Sequence, residues 1–561
     1  MVTSVVGNTL PPPVAFGLPP SYTTWYPSQF QALTDAMDAK SRFVGQCIPT
    51  GGGKSLIAAA LAKITGQQGL RTVYLTSTRA LQDQVLRDFH TIFTDIRGQR
   101  NYPCVLMDGK LTVDEAPCHA GYKCQLREAG CEYYDQTSVA RRSQFVITNY
   151  SYYMTQLRAM AQSGSDRPAI GAFDLLVCDE GHMVVDEIAE FMRFSIRRED
   201  CRLLNIGWPD ITPTTVDGWI RWANEILPAI SEPPRLQVDV MGGDVANLRY
   251  AVRRSTDARR AKDKIETLAG ILDPTNWLLT SGDTGNSSNN NNSGDSNGQR
   301  HTSSAQAVMF SPVWPAKAAE AHLYRGAGKV LFLSATLTRK AMFLAGVPTD
   351  DYIFNEYPSS YPVANRRVTY IPTVAMNKRV TSDGFNQWVA RIDQILRARP
   401  QQKVLIHTTS YSRMRELFQA SVEHHRMIQH GSGQASQAID VFRRSPTNMG
   451  AVLVSPVMHS GYDFKGDECR TVIIGKLPFP DSRDPMVKAR SERDKEWIPH
   501  QVVQTLVQSA GRATRSVTDW SEIFIIDDDF WWFWNKYKYL APRWFVEAVG
   551  KSNWIPEPRS G

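Results

Sequence analysis

Apolar residues in this chain gather into short unbroken runs that end on polar or glycine-rich residues, and the stretches between them carry helical spacing. "GQCIP", Gly45 to Pro49, reads as a buried strand, and "KSLIAAALAKI", from Lys54, as a helix with Leu56, Ile57, Ala60, Leu61 and Ile64 on one stripe. Similar runs are "FDLLVCDEGH" (Phe173 to His182), "KVLFLSATLT" (Lys329 to Thr338), "KVLIHTTSY" (Lys403 to Tyr411) and the apolar segments within Ala451 to Pro480. Continuous apolar strands alternating with helices are the pattern of parallel sheets covered on both faces. Their grouping predicts an α/β chain with two such sheets.

Size and charge add limits. At 561 residues the chain exceeds a single hydrophobic core, so about three or four domains of ~150 residues each are expected. No uncharged apolar run reaches the ~18 residues of a membrane-spanning helix. The opening "MVTSVVGNTLPPPVAFGLPP" lacks the basic start and apolar core of a secretory signal, so a cytoplasmic location is expected, in a bacterium or a bacterial host. A net charge of +7, from 63 basic and 56 acidic residues, is mild, and any polyanion site must be local. Ser281 to Ser304 contains no aliphatic or aromatic residue and is expected to be a disordered low-complexity loop.

The polar ends of the strands carry the chemistry. "TGGG", Thr50 to Gly53, lies between a strand and a helix. Its glycines let the backbone turn successive N–H groups inward at a helix N-terminus, where the dipole favours an anion. Lys54 would reach the β- and γ-phosphates of a nucleotide and Ser55 would ligate Mg²⁺, although Ile48 stands where the full phosphate-loop pattern has its first glycine. Asp179 and Glu180 end another strand as a carboxylate pair, suited to holding Mg²⁺ and to orienting or deprotonating a water. Gln29, in "WYPSQFQ", has an amide that matches both edges of adenine. Ser334-Ala335-Thr336 can relay nucleotide state to a neighbouring surface. In "QSAGRATRS", Arg512 and Arg515 share a helix face and can point at one phosphate from a second lobe.

"YPSQ", "PTGGGKS", "TSTRALQDQV", "VCDEGH", "SATL", "SGYDFKGD" and "QSAGRATR" stand together in a known motif order. Over most of residues 22 to 545 the chain resembles a superfamily-two helicase of the XPD/DinG iron–sulfur type, with DinG-like proteins of phages or plasmids in view. The resemblance implies an ATP hydrolase with two RecA-like lobes that moves along single-stranded DNA from 5′ to 3′ and unwinds duplex, R-loops and D-loops included. By that likeness Gln29 reads adenine and Gly51, Gly52, Gly53, Lys54 and Ser55 hold the phosphates. Asp179 and Glu180 serve Mg²⁺ and water. Gln508, Arg512 and Arg515 complete the site from the second lobe, with Gly461 and Asp463 coupling it. The chain departs from the pattern in Gly181, where alanine is usual, and in its weak "SPVMHSG". The implied partners are single-stranded and forked or tailed duplex DNA, with RNA–DNA hybrids also in range, no membrane, and a monomeric state. The alternatives are a translocase that never separates strands, a nucleic-acid binding protein with a degenerate motor, and a small-molecule phosphate-loop kinase. The intact Lys54, Glu180 and Arg512 weigh against the second, and the second lobe's arginine motif against the third. Only some twenty-five residues precede the first motif, so an upstream exonuclease domain is not expected.

Cys104, Cys118, Cys124 and Cys131 fall within 28 residues, at intervals of 13, 5 and 6. Four thiolates suit zinc or an iron–sulfur cluster, and spacing alone leaves both open, as well as an empty site. The resemblance favours a [4Fe–4S] cluster acting as a structural staple, with Arg97, Arg100, Arg141 and Arg142 flanking it. The implied layout is a first lobe over 1–103, 136–183 and 305–345, a four-cysteine insertion over 104–135, a helical arch-like insertion over 184–280, the loop over 281–304 and a second lobe over 346–561. Within the arch Arg249, Arg253, Arg260 and Lys264 fall on one face, read as solvated or touching DNA. The aromatic run "FWWFWNKYKYLAPRWF" is expected to pack against the second lobe rather than to stack bases.

Overall fold

Strand by strand, the buried apolar runs assemble into two separate sheets. The computed structural model describes residues 10–120, 122–232, 245–282, 307–457, 464, 466–511 and 519–559. The first sheet has seven parallel strands in the order Tyr352–Glu356, Phe43–Cys47, Lys329–Ser334, Leu175–Asp179, Thr72–Thr76, Phe145–Asn149 and Thr94–Asp95. Its central strands are buried along their whole length, which is why they read as unbroken apolar runs. The helix Lys54–Gln67 covers one face, with Leu56, Ile57, Ala60, Leu61 and Ile64 all in the core. The second sheet is also parallel and seven-stranded: Met427–Ile428, Val452–Ser455, Val404–His407, Thr471–Ile474, Ser521–Asp527, Arg366–Val374 and Val549–Lys551.

Two expected boundaries move. Tyr352–Glu356 lies beyond residue 345, yet it pairs with Phe43–Cys47, so the first sheet continues to Glu356. This edge strand is half-buried throughout and has little of the apolar density that marks the others. Ala307–Pro312, expected in the first lobe, sits between Phe194–Arg197 and Trp277–Gly282 in an antiparallel three-stranded sheet. The arch-like region is therefore mixed rather than purely helical. Its own core joins Trp219 and Trp222 of the helix Val216–Ile226 to Ile265 and Leu268 of the long helix Val245–Ala269 and to Phe310 of the sheet. Beyond Gly282 the low-complexity run lies outside the described residues.

The C-terminal aromatic run divides. Phe530, Phe533, Trp534, Trp544 and Phe545 are in the second lobe's core, while Trp532 and Tyr539 are exposed.

Candidate nucleotide site between the lobes

The glycine loop is built by close approach. Gly51 and Gly53 have φ of +73° and +79°, the left-handed region that favours glycine. A Cβ on Gly51 would lie 2.5 Å from the Tyr361 hydroxyl, one on Gly52 2.7 Å from Ile48 Cγ2, and one on Gly53 2.4 Å from Gln29 Nε2. Tyr361 Oη donates to the Gly51 carbonyl at 2.5 Å and Gln29 Nε2 to the Gly52 carbonyl at 3.1 Å. Gln29 is buried, and its Oε1 accepts from the Tyr26 N–H at 3.0 Å, closing the first turn of Pro27–Asp38. Its amide thus supports the loop directly, a role the sequence did not indicate.

The carboxylates sit opposite this loop. Lys54 Nζ lies 4.0 Å from Glu180 Oε1. Glu180 occupies the left-handed region at φ 48°, ψ 47°, an unusual conformation for a side chain of this size and one that turns the chain sharply at the strand's end. Asp179 is buried, and burial, then the neighbouring Glu180, pushes its carboxyl well above the usual range, while Lys54 pulls the other way. Tyr74 stands beside it, its hydroxyl donating to Ser55 Oγ at 3.4 Å. Ser55, Asp179 and Glu180 offer oxygen donors of the kind that suit a hard divalent cation such as Mg²⁺. Gly181, the departure from the usual alanine, has a local reason: a Cβ there would meet Phe332 Cβ at 2.9 Å on the adjacent strand.

From this pocket a chain of polar contacts leads into the second lobe. Ser334 Oγ is 3.4 Å from Glu180 Oε2 and 2.7 Å from His182 Nδ1. His182 Nε2 in turn meets Gln508 Nε2, on the second-lobe helix Trp497–Ala510. The same helix places Gln504 Nε2 3.4 Å from the Thr336 carbonyl and His500 Nε2 2.8 Å from Thr338 Oγ1. His500, Gln504 and Gln508 are spaced by four and share a face. Sequence reasoning found only Gln508, although the polar positions in "HQVVQTLVQ" carry that period. At the helix end a Cβ on Gly511 would lie 2.6 Å from Thr50 Cγ2, so a glycine lets the second lobe touch the loop itself. Arg512, Arg515, Gly461 and Asp463 lie outside the described residues.

The four cysteines are free thiols lining one cavity with Leu126 and Tyr134. Cys104 and Cys131 are buried, and Cys118 and Cys124 half-buried. Burial, then the other three thiols, pushes Cys118 up to about 11. Among the described residues no three ligating side chains converge on one metal ion. The insertion consists mostly of 3₁₀ turns, and its small core of Cys104, Met107, Leu111 and Ala116 is completed by Leu248 and Val252 of the arch helix. The expected basic face of that helix splits. Arg249 pairs with Glu115 and Arg253 and Arg260 with Asp257, whereas Lys264 turns to Asp200. Arg97 is tied to Asp83 and Asp95 and Arg100 to Asp114, while Arg141 and Arg142 are exposed.

The comparisons agree with this architecture. Residues 26–202 match the DEAD/DEAH box helicase model and residues 392–548 the helicase C-terminal domain model. The chain thus carries a DEAD/DEAH box helicase domain followed by a helicase C-terminal domain. The 3′–5′ exonuclease DinG of Bacillus subtilis is 27% identical over 247 residues, 40% of this chain and 26% of its own. The ATP-dependent DNA helicase YoaA of Haemophilus influenzae is 31% identical over 131 residues, 21% of this chain and 20% of its own. The chain thus spans about a quarter or less of the length of these relatives. An XPD helicase structure superposes with a TM-score of 0.57 at 14% identity, covering 94% of this chain and 100% of that one, and S. tokodaii Xpd4 with 0.54 at 13%, covering 93% and 99%. The shared fold is the two-lobed parallel-sheet architecture. No helix of the described residues is long and apolar enough to cross a membrane.

Proposed function

We propose that this chain is an ATP-dependent DNA helicase of the XPD/DinG type, which hydrolyses ATP between its lobes and moves along single-stranded DNA from 5′ to 3′. The observation that carries this reading is the contact of Gln508 with His182, beside the carboxylate pair. It joins the second lobe's motif to the group best placed to act on water. Thr50, Gly51, Gly52, Gly53 and Lys54 would hold the phosphates, and Gln29 would support the loop at the adenine end. Ser55 and Asp179 would hold Mg²⁺, which when bound offsets phosphate charge. Glu180 would take a proton from the attacking water as its oxygen bonds to the γ-phosphorus and the bond to ADP breaks. Arg512 and Arg515 would close on the γ-phosphate, with Gly461 and Asp463 in the same coupling path.

We infer a [4Fe–4S] cluster for the four cysteines from the family resemblance, supported by their sharing one cavity in an insertion whose core is too small to stand alone. ATP turnover and strand separation on duplexes with 5′ or 3′ tails, with DNA–DNA and RNA–DNA strands compared, test the reading. Unwinding of 5′-tailed substrates alone is expected. Turnover without unwinding of either polarity would replace it with a translocase.

A further inference from the structure

The chain crosses from the first sheet to the second through residues 357–365, between the strands Tyr352–Glu356 and Arg366–Val374. This connection touches the glycine loop directly. Tyr361, in its middle, is only 4% exposed, and its hydroxyl donates to the Gly51 carbonyl at 2.5 Å. One residue earlier Ser360 Oγ lies 2.9 Å from Ser28 Oγ, next to Gln29 on the helix Pro27–Asp38. The Tyr361 carbonyl in turn accepts from Arg366 Nε at 3.1 Å. The buried Arg366 guanidinium continues into the second lobe, donating to the Trp544 carbonyl and, at 3.5 Å, to the Glu547 carboxylate.

Two successive carbonyls of the loop are thus held by side chains from different places. Gln29, on a first-lobe helix, donates to Gly52, and Tyr361, in the connection, donates to Gly51. A loop that binds an anion through its N–H groups turns the carbonyls between them the other way, and a donor on each carbonyl fixes that arrangement. Gln29 belongs to the first lobe alone, whereas Tyr361 is fastened through Arg366 to the second. Any rotation of the second lobe that displaces Arg366 therefore acts on the Gly51 carbonyl. This route to the phosphate loop runs along the connection and is separate from the contact of Gln508 with His182 across the cleft.

We propose that Tyr361 is a positioning residue that makes the nucleotide affinity of the glycine loop depend on where the second lobe stands. It rests on the proposed function. Tyr361→Phe keeps the ring and removes only the donor, and the full chain is compared with wild type in steady-state ATP turnover and in affinity for a fluorescent methylanthraniloyl derivative of ADP, with and without single-stranded oligothymidine. Loss of the hydrogen bond is expected to raise the KM for ATP and weaken binding of the ADP derivative, each by ~5-fold, with kcat falling by less than KM rises. Oligothymidine is expected to change the wild-type affinity for the derivative at least ~5-fold and that of Tyr361→Phe less than ~2-fold. A KM and an affinity within ~2-fold of wild type, or a wild-type affinity that oligothymidine leaves alone, would overturn the proposal while leaving the motor intact. A fall in kcat as large as the rise in KM, with a lower melting temperature, would overturn it as well, since it would mark a merely structural prop. If the wild-type chain neither bound the derivative nor hydrolysed ATP, the functional reading itself would fall.

Discussion

Gln508 of the second lobe hydrogen-bonds His182 of the first, and His182 Nδ1 lies 3.4 Å from the Glu180 carboxylate. With Gln508 Nε2 donating to Nε2, the imidazole keeps its proton on Nδ1, facing Ser334 and Glu180. A change at either end therefore repositions the ring that flanks the proposed catalytic base. Gln508→Ala should leave the KM for ATP within ~3-fold and cut DNA-stimulated kcat by ~10-fold or more, as expected for loss of a coupling contact. Steady-state turnover with and without single strand checks this. Equal losses in both conditions would point to damage in the site rather than lost coupling.

Two turns earlier on the same helix, His500 holds Thr338 Oγ1, the hydroxyl that also caps Arg339–Leu344. It is a positioning residue, since it reaches Thr338, just beyond the Ser-Ala-Thr segment, and not the nucleotide pocket. His500→Ala should lower DNA stimulation, and His500→Gln, whose amide can replace Nε2, should recover much of it. Failure of glutamine to improve on alanine would contradict this role.

His500 also gives a pH dependence. It is buried with Nδ1 unpartnered, and burial, then the charge of Lys340, lowers its pKa to about 4, with Asp494 and Glu496 opposing. A histidine depressed in the folded state refuses a proton that the unfolded chain accepts near 6.5. The stability is thus present above that value and lost as pH falls toward 4, by about 2 kcal/mol at pH 5. Thermal unfolding of wild type and His500→Gln at pH 7 and pH 5 should show the wild type losing more. Parallel losses would remove the assignment.

Anaerobically purified protein should be brown and contain about four irons per chain, and Cys104→Ser should lose both iron and strand separation while retaining part of its ATP turnover. Stoichiometric zinc in place of iron would contradict the cluster.

The phosphate loop and the carboxylate strand were legible because their chemistry is local: glycines, a lysine and paired acids at fixed offsets from an apolar strand. The strand Tyr352–Glu356 was not, because an edge strand needs no apolar run and its partner lies some three hundred residues upstream. Tyr74 carries no such signal, and nothing in its neighbours reveals that it reaches Ser55. His500 and Gln504 stayed hidden because their partners depend on how the lobes face each other, which no segment encodes alone. The aromatic run shows the same limit. Its packing was predictable, but which ring faces outward was set by helix phase.

The central claim is that ATP is split in the pocket of Lys54 and Glu180. The most direct test is single-strand-stimulated ATP turnover by wild type, Lys54→Ala and Glu180→Gln. The wild type should hydrolyse ATP and respond to DNA, and both variants should fall by at least ~100-fold while melting like the wild type. Turnover in either variant equal to that of the wild type would contradict the account.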